Sequence, residues 1–236
     1  MEKKEVLEEK SLTRRSLLSG AGKIAVVGAG IAAVSGGLSL FSNAEAKEKP
    51  ISKVGAVKKP TFPWEYQKLD LDRVGQTAYE KWFEVFCSQG VANGVFEQLR
   101  EKVGEPYISF PIEALRFGMG GMLGWGVTCG SLVTGSLLIG LTVPKDPGER
   151  MIIDLLKWYS NTALPNFKPK VLKATTKDKD GKERAFKGDF KNSTVAKSPL
   201  CHLSVGRWMK KEGVDWDSDP RKNRCAMITA SVAVKT

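Results

Sequence analysis

His202 is the only histidine in the chain, and it follows a cysteine in the run Ser198-Pro-Leu-Cys-His202. Double attachment of a c-type haem needs Cys-x-x-Cys-His: two thiols take the vinyl groups and the histidine ligates iron. Ser198 stands where the first of those cysteines would be. Haem c is therefore not expected. A haem held by Cys201 alone would have to find its second axial ligand in a methionine such as Met119 or Met122, in water or in another chain. Cys201 also belongs to another set, because the chain has four cysteines: Cys87, Cys129, Cys201 and Cys225. Four thiolates are the complement of one iron–sulfur cluster, and soft iron–sulfur sites select thiolate. Four thiols in an exported chain equally make two disulfides, or a dithiol pair that cycles. Spacing alone does not separate these chemistries.

The local contexts suit thiolate in different degrees. Cys201 falls in the first turn of a predicted helix, just after Pro199, where the helix N-terminus favours an anion. Cys225 follows the basic residues Arg221, Lys222 and Arg224. Cys129 lies among glycines whose backbone N–H groups can approach a bound anion. Cys87 sits on a helix face with no special neighbour. His202 is a helix-surface residue, a hydrogen-bonded core group or a tuner of the metal site from outside its ligands.

Elements must bring these residues together. Residues 1–46 read as a twin-arginine export signal: Arg14-Arg15, a weakly apolar Gly/Ala stretch and a small-x-small site at Ala44 and Ala46. Residues 47–73 read as an extended, Pro- and Lys-rich linker, tacked to the core by Trp64 and Tyr66. Residues 74–236 read as the folded domain. A helix is predicted over 74–103, where Tyr79, Trp82, Phe83, Phe86, Val91, Val95, Phe96 and Leu99 form an apolar stripe. Gly90 and Gly94 interrupt it and imply close backbone packing or a break. A short helix begins near Pro111. The Gly-rich run between Phe117 and Gly130 bends, and helices follow in the segments starting at Ser131, Asp146, Ser198 and Asp219. The expected fold is all-α, with about five helices, a Gly-rich bend and a long basic loop over 165–197. The net charge of +11 gathers partly in that loop. An acidic redox partner would be steered to it, whereas nucleic acid is excluded by export.

Taken in order, the contexts "CSQGVANG", "GWGVTCG", "SPLCHLSVGRW" and "RKNRCAMITASVAVK" resemble the redox-active family named for the pattern C, GCAxxG, C, C. Cys87 matches the first cysteine. Gly90, Ala92 and Gly94 match the Gly, Ala and final Gly of the second block, and Val91 replaces its cysteine. Cys129, Cys201 and Cys225 match the rest. The likeness covers residues 74–236 and is strongest to exported members similar to the split-Soret cytochrome c group. Those carry an iron–sulfur domain beside haem and are dimeric, so the resemblance implies that the cysteines ligate a cluster and allows a homodimer.

The sequence contains no carboxylate pair, Ser-His-Asp set or phosphate loop. The expectation is an exported, periplasmic electron-transfer protein rather than a substrate-turnover enzyme. Its cofactor would be an iron–sulfur cluster, [2Fe–2S] in preference to [4Fe–4S], on Cys87, Cys129, Cys201 and Cys225. The alternatives are a thiol–disulfide protein and a subunit with structural disulfides.

Overall fold

The computed structural model describes residues 61–236. The export signal expected over 1–46, and the linker as far as residue 60, lie outside the described residues. The described chain runs α1 (Leu71–Lys102), a 3-10 helix (Ile112–Gly118), α2 (Gly130–Thr142), α3 (Lys145–Asn161), β1 (Thr175–Lys177), β2 (Glu183–Ala185), α4 (Cys201–Glu212) and α5 (Asp219–Lys235). Among the described residues, no helix is long and apolar enough to cross a membrane.

Asp70 starts α1. Its Oδ1 accepts from the backbone N–H groups of Asp72 and Arg73 at 3.0 and 3.2 Å, which satisfies two donors that a bare helix end leaves unpaired. This cap places the helix start at Leu71, inside the segment expected to be linker. α1 is also not one rod. At Phe86 the backbone leaves the helical region, with φ 61° and ψ −159°, and the chain turns back on itself. Residues 71–85 and 87–102 then run antiparallel. Asp70 N donates to Gln98 Oε1 and Gln98 Nε2 donates back to Asp70 O, both at 2.9 Å. Arg73 forks onto Glu97 and Glu101. Gly94 answers the expectation of close packing: a Cβ there would stand 2.7 Å from Val74 O. An apolar stripe cannot distinguish one long helix from two antiparallel limbs, because both bury the same face.

α5 packs along both limbs of α1 more extensively than any other pair of helices. Polar ties join the buried faces. Tyr79 OH donates to Asn223 Oδ1 at 2.7 Å, and Ser131 and Thr229 share a hydrogen bond of 3.0 Å. Trp64 is buried and its backbone N–H donates to Leu141 O at 2.7 Å, but Tyr66 is exposed.

The expected all-α class is corrected to a mostly helical chain with a small sheet. β1 and β2 form an antiparallel hairpin inside the basic loop, with Thr175 opposite Ala185 and Lys177 opposite Glu183. Gly181, at φ 79°, makes the turn. Strands of three residues are too short to show an alternation in sequence. Asp219, at the start of α5, holds this hairpin. It receives Arg184 through both oxygens, at 2.6 and 2.9 Å, and the Lys187 N–H at 3.0 Å. Arg184 chiefly, and Lys187 with it, keep the Asp219 carboxyl below its usual range. A carboxylate with a lowered folded pKa stabilises above its unfolded value, about 3.9, and that stability is lost as pH falls through the lower folded value. Asp219→Ala should therefore cost about 2 kcal/mol at neutral pH, and the difference from the parent should shrink in acid melts. An unchanged difference at low pH would show that the ion pair contributes nothing.

Candidate functional site

Each cysteine sits at a structurally defined place. Cys87 is the first residue after the reversal at Phe86, so it opens the second limb of α1. Cys129 is the N-cap of α2, with φ −54° and ψ 128°. Cys201 is the first residue of α4. Cys225 lies in the second turn of α5. All four are buried free thiols. Three helix starts therefore carry a cysteine. Helix starts present unpaired N–H groups and the positive end of the dipole.

The four thiols share one electrostatic environment. Burial pushes the Cys87 thiol up to about 12, and the charges of Cys129 and Cys225 push the same way. Burial also raises Cys201, followed by the charges of Cys129, Cys87 and Cys225, while Arg224 opposes them. Both effects favour the protonated thiol at Cys87 and Cys201. As placed, no three His, Cys, Asp or Glu side chains among the described residues are gathered closely enough to hold a metal ion. Ligation needs side-chain rotation and loss of thiol protons.

Two donors around the thiols lack partners. Trp82 Nε1 and Arg224 Nε are buried without a hydrogen bond. The indole N–H lies beside Cys87 and favours its thiolate, although it falls short of a true hydrogen bond to the sulfur. Buried donors without acceptors are rare and costly. An anion at the thiols would give both a counterpart. Below them, Tyr159 OH donates to Ser204 Oγ at 2.9 Å, and Arg224 Nη2 donates to the same oxygen at 2.7 Å.

The glycine-rich loop closes the site. Cys201 N donates to Val127 O at 2.7 Å and Cys129 N to Pro199 O at 2.9 Å, so the segments before α2 and α4 zip together across a Thr128–Leu200 bridge. Gly121 has φ 67°, and a Cβ there would meet Val127 O at 2.6 Å and Cys201 Cβ at 2.8 Å. The helix expected to start at Ser198 starts instead at Cys201, with Leu200 at its N-cap position. α4 begins at Cys201 because Val127 and Pro199 occupy this bridge, and Ser198 Oγ accepts instead from Leu200 N at 3.1 Å. His202 is exposed. Its Nδ1 donates to Gly126 O at 2.7 Å, because a carbonyl only accepts. Its ring pins the loop and makes no bond to a thiol. Met122, Leu123, Trp125 and Val127 expose apolar surface along the same loop.

Sequence reasoning placed Arg224 in a basic run and missed that it alone of that run is fully buried. It also missed Trp82, Tyr159 and Ser204 as neighbours of the thiols. The one available signal was helical phase: Arg224 lies four residues before Ile228 and eight before Val232, on the buried face of α5.

The comparisons with known proteins agree on one lineage. Residues 85–236, which include all four cysteines, match the family model described as "Putative redox-active protein (C_GCAxxG_C_C)". The chain is 30% identical over 227 residues to the split-Soret cytochrome c of Desulfovibrio desulfuricans, covering 95% of this chain and 76% of the relative. A solved structure described as a novel iron centre in that cytochrome superposes with a TM-score of 0.63 at 29% identity, covering 73% of this chain and 68% of the other. These findings overturn the expectation of an iron–sulfur cluster with haem c unlikely, because the relative is a cytochrome, a haem protein, with an iron centre described as novel.

The residues of this chain fit the two groups unequally. Four buried thiols, with the unpaired Trp82 Nε1 beside Cys87, suit a thiolate-bound iron centre. Of the double-attachment haem pattern the chain keeps Cys201 and His202 alone, and Cys201 is charge-coupled to the other thiols. No residue here is given a haem-binding role. The matched span and the relative together place the chain in the C_GCAxxG_C_C family of redox-active proteins, as a homologue of split-Soret cytochrome c.

Proposed function

We propose that the chain is an electron-transfer protein whose four cysteines, Cys87, Cys129, Cys201 and Cys225, hold an iron centre. The observation that carries this is a set of four buried free thiols, three of them at helix starts, whose charges act on one another. Iron supplies the electron-accepting orbital. The protein supplies thiolates, positive helix ends and a cover of glycine-rich loop that excludes water, all of which fix the centre's charge and potential.

The reading extends to context. The leader over residues 1–46 would send the chain to the periplasm by the twin-arginine route. The lysines of the basic loop are exposed, among them Lys168, Lys173, Lys179, Lys187 and Lys191, and would guide an acidic protein partner to it. A second copy of the chain is a further partner of this reading.

The test is iron content and colour of the exported protein purified without oxygen, before and after dithionite. Bound iron with visible absorption that changes on reduction is expected, and Cys129→Ser should lose both while still folding. A colourless parent protein without iron would sink the reading. An iron content that survives Cys129→Ser would remove Cys129 from the ligand set.

A further inference from the structure

We propose that Arg224 is the counter-charge of the iron centre: its buried guanidinium balances the negative charge that four cysteine ligands bring to the site. The inference rests on the reading of the cysteines as iron ligands and goes beyond it, to a residue that binds no iron.

Arg224 is 1% exposed. Arginine cannot shed its proton in a protein, so a full positive charge lies inside the helical core. Its surroundings are neutral. Nη2 donates to Ser204 Oγ at 2.7 Å and to Ser204 O at 3.2 Å. Ser204 Oγ also takes the Tyr159 hydroxyl hydrogen at 2.9 Å, and burial holds that phenol in its protonated form. The guanidinium lies 5.8 Å from the centre of the Trp208 ring. No carboxylate among the described residues pairs with it. Nε, also buried, has no partner at all.

A buried charge without an opposite charge is among the most costly arrangements a fold can keep. The groups near Arg224 that can become negative are the thiols. Its charge acts on Cys201 and Tyr159, and Cys225 is the next residue. Four thiolates around one ferrous or ferric ion leave a net negative charge. With metal bound, Arg224 and the centre neutralise each other. Without metal, Arg224 is a destabilising cation. A structural arginine, kept for its bond to Ser204, would stabilise both states alike.

That difference in sign is the test, with cobalt(II) as the probe because thiolate-to-cobalt charge transfer reports ligation. Arg224→Met removes the charge and keeps much of the volume. Arg224→Lys keeps the charge and loses the planar fork. In the full chain, Arg224→Met should raise the thermal midpoint of the metal-free protein and weaken cobalt binding about 10–100-fold, whereas Arg224→Lys should keep most of the affinity. A metal-free midpoint lowered in Arg224→Met, with cobalt affinity unchanged, overturns the counter-charge role and leaves the ligand assignment standing. A parent protein that takes up neither cobalt nor iron overturns both. A misfolded Arg224→Met passes the decision to Arg224→Lys: cobalt affinity lost there, with the charge retained, overturns the proposal.

Discussion

Gly130→Ala is expected to cost about 3 kcal/mol or more of stability and to empty the site of metal. A Cβ at Gly130 would stand 1.8 Å from Gly118 O and 2.7 Å from Gly118 C, with Cys87 Cβ at 3.3 Å. The obstacle is backbone on backbone, so no rotamer relieves it. Either the 3-10 helix or the start of α2 must withdraw. The start of α2 carries Cys129, and the 3-10 helix leads into the loop that covers Cys201. For a chain of this size the loss corresponds to a fall in melting temperature of about 6–12 °C. Gly140→Ala is the control. It lies in the same helix, exposed, with nothing within 4 Å of a new Cβ, and should gain about 1 kcal/mol through helix propensity. Equal melts for the two variants would mean that the contact between Gly118 and Gly130 is not a constraint. Iron retained in a destabilised Gly130→Ala protein would separate the fold from the site.

How much of this was legible in sequence depended on how local its cause was. Helix ends were readable where a local residue makes them: α5 starts at Asp219 as expected, and Gly213, free to take φ 74°, ends α4. The reversal at Phe86 was not readable. A positive φ at an aromatic residue costs of order 1–3 kcal/mol and is kept only because tertiary contacts over-determine it; the Gln98 clamp on Asp70, between residues 28 apart in sequence, is one such contact. The β-hairpin escaped for a different reason. Its strands are three residues long and it is anchored by Asp219, remote in sequence. At the site, the cysteines could be named from the chain because their number and contexts carry the signal. Their common environment could not, since it arises where α1, α2, α4 and α5 meet. The burial of Arg224 is of the same kind: beside Lys222 and Arg221 it looks like surface charge, and only the packing of α5 on α1 and α4 shows otherwise. The iron chemistry was misjudged from the same cysteines, because four thiolates specify soft iron ligation and not the form the iron takes.

If the four cysteines hold iron as proposed, its removal should produce the second large effect, a fall of about 8–16 °C in the melting temperature, concentrated at the site. The starts of the second limb of α1, of α2 and of α4 all bear cysteines of one coupled set. Three positive helix ends at these cysteines repel one another, and the buried Arg224 adds a full charge. Bound iron with its thiolates supplies the missing negative charge. A ligand present at about a thousand times its Kd stabilises by about 4 kcal/mol, and at about 2–4 °C per kcal/mol that gives the stated fall. Hydrogen exchange locates it. Backbone N–H groups of residues 118–129 and 199–202 should lose protection when iron is removed, because the Val127–Cys201 and Pro199–Cys129 bonds join the segments that carry two of the proposed ligands. The α1–α5 interface, held by buried apolar side chains and the Tyr79–Asn223 bond, should keep its protection. Identical melting with and without iron would show that packing alone holds the helix starts together, and would argue that the thiols are not the ligands. Protection lost evenly along α5 would show instead that the iron supports the whole helical core, and that the site cannot open by itself.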